Sequence, residues 1–294
     1  MAALDFVAQL RLPYQSNRIT AEFQSPANAL WITMNKDPEG GCQNFSLPLL
    51  SGMRELLQAV QKDNATWRHN GQARPVHYAV LKSGHPDYFS LGGDLTHFRS
   101  CIASQDKNAL YQYSKLCLDM MYEWATVLNG RTTTVALVQG RALGGGFETA
   151  LSADFLIAEE HSEFGFPEIM FGLFPCTGGM SLLARRVGVN KAESMMTNGR
   201  IYSASELKDM GVVDEICARG EGEMAVDSFI AEHAKRRVPR LMLQRSRHRV
   251  APLDYQELLT VVEEWTEVAM TLTVDELRVM EMLIRLQQGS QRAA

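Results

Sequence analysis

Short apolar runs, several of them β-branched, recur through the first part of the chain and give way to helical spacing in the last. Ile19 to Phe23 and Ala29 to Met34 are two such runs, joined by the turn-forming Ser25-Pro26-Ala27-Asn28, and they predict an opening hairpin. Leu47 to Gln61 predicts a helix. Val76 to Lys82 predicts a strand, Asp94 to Ile102 a helix capped by Asp94, and the run from Val135 a buried strand followed by a helix over Phe147 to Ala153. Another strand is expected near residue 154. Strands and helices in this order imply a largely parallel, layered core of the α/β class. From Gly220 onward strand patterns vanish. Leu258, Val262, Trp265, Ala269 and Leu272 recur at helical spacing, and Leu277 to Leu286 is apolar on more than one face, as in a helix buried on several sides. A core over 1–219 and a helical region over 220–294 are therefore expected. No internal repeat stands out, and only Gly289 to Ala294 is expected to fray.

With 294 residues and 46% apolar content the chain buries a sizeable core in one large domain, or in one domain with a helical appendage. A net charge of −5 lends no bulk electrostatic support to nucleic-acid binding. Cys42, Cys101, Cys117, Cys176 and Cys217 are odd in number and form no C-x-x-C pair, which points to free thiols in a reducing compartment. Of these, Cys117 and Cys217 are expected to fill the core. The N-terminal stretch holds Asp5 and only short apolar segments, with no cationic lead into an apolar run, and nothing approaches the roughly eighteen consecutive apolar residues of a membrane span. A cytoplasmic protein with no membrane partner is expected.

Candidate chemistry centres on glycines and two glutamates. After the Val135 strand, Gly144-Gly145-Gly146 leads into a helix, and Leu91-Gly92-Gly93-Asp94 repeats the design after the Val76 strand. The first N–H groups of a helix lack partners, and glycine lets a ligand oxygen approach them, so each turn can offer an amide to a carbonyl oxygen; each can equally be only a turn. Glu148 falls in the first turn of its helix, where the dipole favours the ionised form. Glu168, in Phe164-Gly165-Phe166-Pro167-Glu168, is flanked by Ile169, Met170 and Phe171, which predicts a desolvated carboxyl of raised pKa. Unequal surroundings suit an acid and a base, although either glutamate alone could be structural. The sequence has no G-x-G-x-x-G, no phosphate-loop lysine, no G-x-S-x-G and no H-E-x-x-H, and its seven histidines lack metal-ligand spacing. Neither a metal nor another cofactor is expected.

The stretch from Val135 to Arg185, with LGGGFE and FPE, together with FSLGGDLTHF at Phe89 to Phe98, resembles the crotonase, or enoyl-CoA hydratase/isomerase, superfamily. Within it, FSLGGDL, ALGGGFE, LFP, EEWTEVAM and MEMLIRLQ look more like the diffusible signal factor synthases, which make cis-2-unsaturated fatty acid signals in bacteria. The resemblance implies a spiral of ββα units with a C-terminal helical region that often covers the site and joins subunits. It implies Gly93 and Gly145 as the oxyanion hole, Glu148 and Glu168 as the acid and base, and Trp265 and Leu283 in the acyl pocket. Cys176-Thr177 stands where such proteins usually carry a glycine, so these two are expected to reshape that pocket. The implied reaction is dehydration of a 3-hydroxyacyl thioester on acyl carrier protein to the cis-2-enoyl form, followed by thioester hydrolysis. A plain enoyl-CoA hydratase is the alternative, and a regulatory protein that binds a sensor-kinase receiver domain without turnover is another. A homo-oligomer, trimer or hexamer, is implied as well. The run Lys235, Arg236, Arg237, Arg240, Arg245, Arg247 and Arg249 has no acidic neighbour within it; Arg236, Arg237 and Arg240 are either a dock for an acidic carrier protein or a solvated helix face or subunit contact.

Overall fold

The opening hairpin forms as its pattern predicts: in the computed structural model, Ile19–Gln24 and Ala29–Met34 pair antiparallel, Ile19 against Met34 and Gln24 against Ala29. The structure describes residues 14 and 15, 18–38, 40–126, 128 and 130–291. In chain order the strands are β1 (Tyr14–Gln15), β2 (Ile19–Gln24), β3 (Ala29–Met34), β4 (Thr66–His69), β5 (Gln72–Pro75), β6 (Tyr78–Ser83), β7 (Tyr88–Ser90), β8 (Thr133–Val138), β9 (Arg141–Leu143), β10 (Phe155–Glu159), β11 (Glu163–Gly165), β12 (Ile201–Ser203) and β13 (Glu215–Cys217). The main sheet has the order β1-β2-β3-β6-β8-β10-β13 and is parallel from β3 onward.

Both faces of that sheet are covered, which is why its central strands read as unbroken apolar runs. All of β8 is buried. Because side chains alternate along a strand, Val135 and Leu137 face the Gly222–Ala234 helix through Val226 and Ile230, while Ala136 and Val138 face the larger core. That larger core also takes in the Leu47–Lys62 helix, the Lys107–Thr126 helix and the Trp265 stripe of the Tyr255–Ala269 helix.

A second sheet, β12-β11-β9-β7, turns the chain into a spiral. Each of β6, β8 and β10 is followed at once by a short strand of this sheet, respectively β7, β9 and β11, and then by a helix: Leu95–Ala103, Gly145–Leu151, and a single 3₁₀ turn at Glu168–Phe171. The α/β spiral with a C-terminal helical region is thus present, and its repeat is one of geometry that the sequence does not display. Because β7 pairs parallel with β9, and β9 with β11, the strand-to-helix turns after them lie side by side.

Three expectations are corrected. The Val274–Gln291 helix is not buried on several sides: Met280 is buried, but Met282 and Leu286 are exposed, because the helix lies across the Leu95–Ala103 helix and the Glu168–Phe171 turn with its far side toward solvent. Cys217 is only half-buried, on the edge strand β13, whereas Cys117 does sit in the core. Helix continues through Gln291, so the chain is not frayed from Gly289; residues 292–294, like the N-terminal stretch around Asp5, lie outside the described residues. No helix among the described residues is long and apolar enough to cross a membrane.

The C-terminal helices are tied to the sheet by Asp154, at the start of β10. Its carboxylate accepts from the Thr134 amide at 3.0 Å, Gln244 Nε2 at 2.8 Å and Arg247 at 2.9 Å, and His248 Nε2 lies 2.8 Å away. Burial pushes its pKa up, but bonds from His248 and Thr134 and the charges of His248 and Arg247 hold it below the usual carboxylate range. A depressed folded-state pKa contributes stability above the unfolded pKa and loses it as pH falls through the folded one. Asp154→Ala should cost about 3–5 kcal/mol at neutral pH, by stranding buried partners, and progressively less in acid, as read by urea unfolding.

Candidate active site

The turns after β7 and β9 meet so closely that only glycine fits. Gly92 has φ +84°, and a Cβ there would lie 2.8 Å from the Leu143 carbonyl oxygen and 2.9 Å from the Gly145 nitrogen. The adjoining peptide is clamped on both sides. Phe45 N–H donates to Gly92 O at 2.8 Å; Asp94 N–H donates to the Tyr113 hydroxyl at 2.9 Å, and that hydroxyl donates to Phe45 O at 2.6 Å. Asp94 also caps its helix as expected, accepting from Thr96 and His97. In the other turn, Gly144 N–H donates to Gly165 O at 2.9 Å. Among the described residues the N–H groups of Gly93 and Gly145 have no acceptor, and both residues border one cavity of about 220 Å³.

Glu148, Glu168, Cys176, Thr177, Trp265 and Leu283 border the same cavity. The structure therefore brings together every residue expected for the acid-base pair, the two amides and the acyl pocket. Trp265 packs edge-on against Phe98, ring centroids 5.0 Å apart, at the apolar end.

The two glutamates differ as acid and base must, Glu168 for the reason the sequence suggested and Glu148 for another. Glu148 is 2% exposed; its Oε1 accepts from Thr177 N–H at 2.9 Å and Gly179 N–H at 2.7 Å, and its Oε2 from the Thr177 hydroxyl. Burial raises its pKa and these three donors pull it back, so the expectation that a helix dipole favours the charged form is overturned in direction. Burial dominates. Glu168 opens the 3₁₀ turn, and its carboxyl rests against Gly144, whose φ of +52° and missing Cβ make room for it. Its Oε2 is shut off from solvent and has no partner among the described residues. Burial, and then repulsion from Glu148, push its pKa up to about 8, as its apolar setting predicts. Of its neighbours only Phe171 is buried; Ile169 and Met170 point outward.

Sequence reasoning treated Thr177 as pocket wall and missed that its amide and hydroxyl both hold Glu148. It also missed Tyr113, whose single hydroxyl joins two loops remote in sequence. Cys176 is half-buried near Glu148, and desolvation and that charge raise its thiol pKa well above the usual value, which makes it a poor nucleophile. Arg236, Arg237 and Arg240 do not border the cavity: they flank the start of the Arg237–Val250 helix, where Arg237 reaches the Arg131 carbonyl at 3.5 Å and Gln244 reaches Thr132 and Thr133. That places them at the N-terminal ends of the parallel strands, whereas the site glycines follow the C-terminal ends. Among the described residues no group of three or more His, Cys, Asp and Glu side chains could hold a metal ion.

A cavity with two unpartnered amides, one carboxyl kept protonated at neutral pH by a pKa of about 8 and one carboxyl held by three donors is equipped to polarise a carbonyl and move protons beside it. Sequence comparison gives the same class. The enoyl-CoA hydratase/isomerase family profile matches residues 53–263, and the chain belongs to that family. A probable enoyl-CoA hydratase of Rhizobium meliloti is 34% identical over 190 residues; the chain spans 64% of that relative's length, and the match covers 64% of this chain. In fold, the chain is similar to an enoyl-CoA hydratase from Bacillus halodurans (TM-score 0.71, 24% identity, 90% of this chain and 99% of that one). It is likewise similar to DspI of Pseudomonas aeruginosa (TM-score 0.67, 23% identity, 85% and 88%).

A raised folded-state pKa means that Glu168 supports the fold below its unfolded pKa and loses that support as pH rises through about 8. Glu168→Gln should therefore match the parent in thermal unfolding near pH 4 and exceed it by about 1–3 kcal/mol at pH 9. An equal difference at both pH values would mean that the carboxyl is not held neutral.

Proposed function

We propose that the protein hydrates 2-enoyl thioesters, and by reversal dehydrates 3-hydroxyacyl thioesters, with coenzyme A as the carrier. The observation that carries this is the unequal setting of two glutamates on one cavity that also holds two free amides. The thioester oxygen accepts from Gly93 and Gly145, which draws electrons from the C2=C3 bond. Glu148 takes a proton from water as the water oxygen bonds to C3; the electron pair moves to C2, the negative charge is held at the oxygen, and Glu168 gives its proton to C2. One proton has then moved from Glu168 to Glu148 across the substrate. In reverse, Glu148 protonates the departing hydroxyl and Glu168 removes the C2 proton, so one proton shared by the pair serves both directions.

A second reading, the signal-factor synthase, adds a cis product, an acyl carrier protein as carrier and hydrolysis of the thioester. Its support is that Trp265 and Leu283, the side chains it expects around the acyl chain, both border the cavity. Mass spectrometry separates the readings: 2-enoyl-CoA converted to 3-hydroxyacyl-CoA with the thioester intact supports the first, and free cis-2-enoic acid from 3-hydroxyacyl carrier protein supports the second.

For hydration, kcat/KM should fall about tenfold per pH unit above about 8 as Glu168 loses its proton. Glu148→Gln and Glu168→Gln should each lose about 10² to 10⁴ in turnover while remaining folded. Near-normal turnover in either variant would overturn the assignment.

A further inference from the structure

Several polar side chains bordering the cavity have protein partners among the described residues. Thr149 donates to Gly145 O at 2.9 Å, Thr177 bonds Glu148, and Arg141 bonds Glu163 at 2.6 Å. Ser114, in the middle of the Lys107–Thr126 helix, is 2% exposed, yet its hydroxyl is shut off from solvent and has no hydrogen-bond partner among the described residues. A helical serine or threonine commonly satisfies its hydroxyl on the carbonyl one turn back. In this chain Thr126, Thr149, Thr197, Thr260 and Thr266 all do so. Ser114 does not. Nor is it bonded to either glutamate, so it takes no part in holding the acid-base pair.

The wall around it is otherwise apolar. On the same helix Cys117 and Met120 also border the cavity, and Cys117, its thiol pKa pushed up to about 12, behaves as a small hydrophobe. Cys117 feels the charge of Glu148, and Ser114 lies one helical turn from it, about 5–6 Å between Cβ atoms. A buried hydroxyl without a partner is unfavourable, and a site that carries one favours a ligand that pairs with it over a ligand that does not.

We propose that Ser114 reads the acyl group: the substrate is a thioester whose chain carries a hydroxyl at C5 or beyond, positioned to accept from this side chain, rather than a plain hydrocarbon chain. This rests on the reading of the cavity as an acyl-thioester site.

The test compares 2-enoyl-CoA thioesters of one chain length, unsubstituted or carrying a single hydroxyl at successive carbons from C5 outward. The wild-type enzyme should favour one hydroxylated isomer over the plain chain by about tenfold in kcat/KM, and in Ser114→Ala that ratio should fall to about one. Calorimetric binding of the corresponding saturated acyl-CoAs to both proteins repeats the comparison without chemistry, and the same loss of preference is expected. Turnover of the plain chain with no preference for any hydroxylated isomer, or a preference that survives in Ser114→Ala, would overturn the role of Ser114 and leave the hydratase reading standing. Failure to turn over or bind any of these thioesters would overturn the underlying reading, and this one with it.

Discussion

Glu148 and Glu168 border one cavity, and with both carboxyls desolvated and Glu168 raised further by the charge of Glu148 they cannot both be ionised at low cost, the limit around which the site is arranged. Glu148 has three donors converging on its two oxygens. Glu168 has an oxygen with no partner, and it is pushed up to about 8 by burial and by Glu148 itself. The proton shared by the pair therefore rests on Glu168, and Glu148 stays an acceptor. The same desolvation that makes Glu168 an acid at neutral pH disfavours the folded state in alkali, so activity here is set against stability.

The spiral supplies the geometry. Parallel pairing of β7 with β9 puts two strand-to-helix turns next to each other, and two unpartnered amides end up on one cavity instead of two. Gly92 and Gly144 are the points of closest approach: a side chain at the first would cover the Gly145 amide, and one at the second would strike the Glu168 carboxyl. Thr177 reaches Glu148 because the turn after Pro175 folds back over the Gly145–Leu151 helix, and Tyr113 fixes the Gly93 loop from the Lys107–Thr126 helix. Trp265 and Leu283 then close the apolar end from the C-terminal helices.

What was legible in the sequence was local or carried by motif order. The hairpin, the Asp94 cap, the strand-to-helix glycines and the parallel layering all follow from patterns within about fifteen residues. Gly93, Gly145, Glu148, Glu168, Trp265 and Leu283 could be picked out because glycine at such turns has a steric reason and the motifs keep a family order. What could not be read depended on contacts between distant segments. The direction of the Glu148 shift is set by burial under Thr177 and Gly179, and the exposure of Met282 and Leu286 by how the last helix lies across the core. The roles of Tyr113 and Ser114 depend on which loop or cavity one face of a long helix meets. The basic run is also a tertiary matter, since Arg247 is bound to Asp154 and cannot count as a free docking charge.

The protonation state of Glu168 can be measured directly, without substrate. An infrared difference spectrum between the parent and Glu168→Gln should contain the C=O stretch of a protonated carboxylic acid at pH 7, and that band should disappear as pH rises through about 8. A spectrum showing only carboxylate bands at pH 7 would mean that both glutamates are charged in the cavity, and would contradict the account.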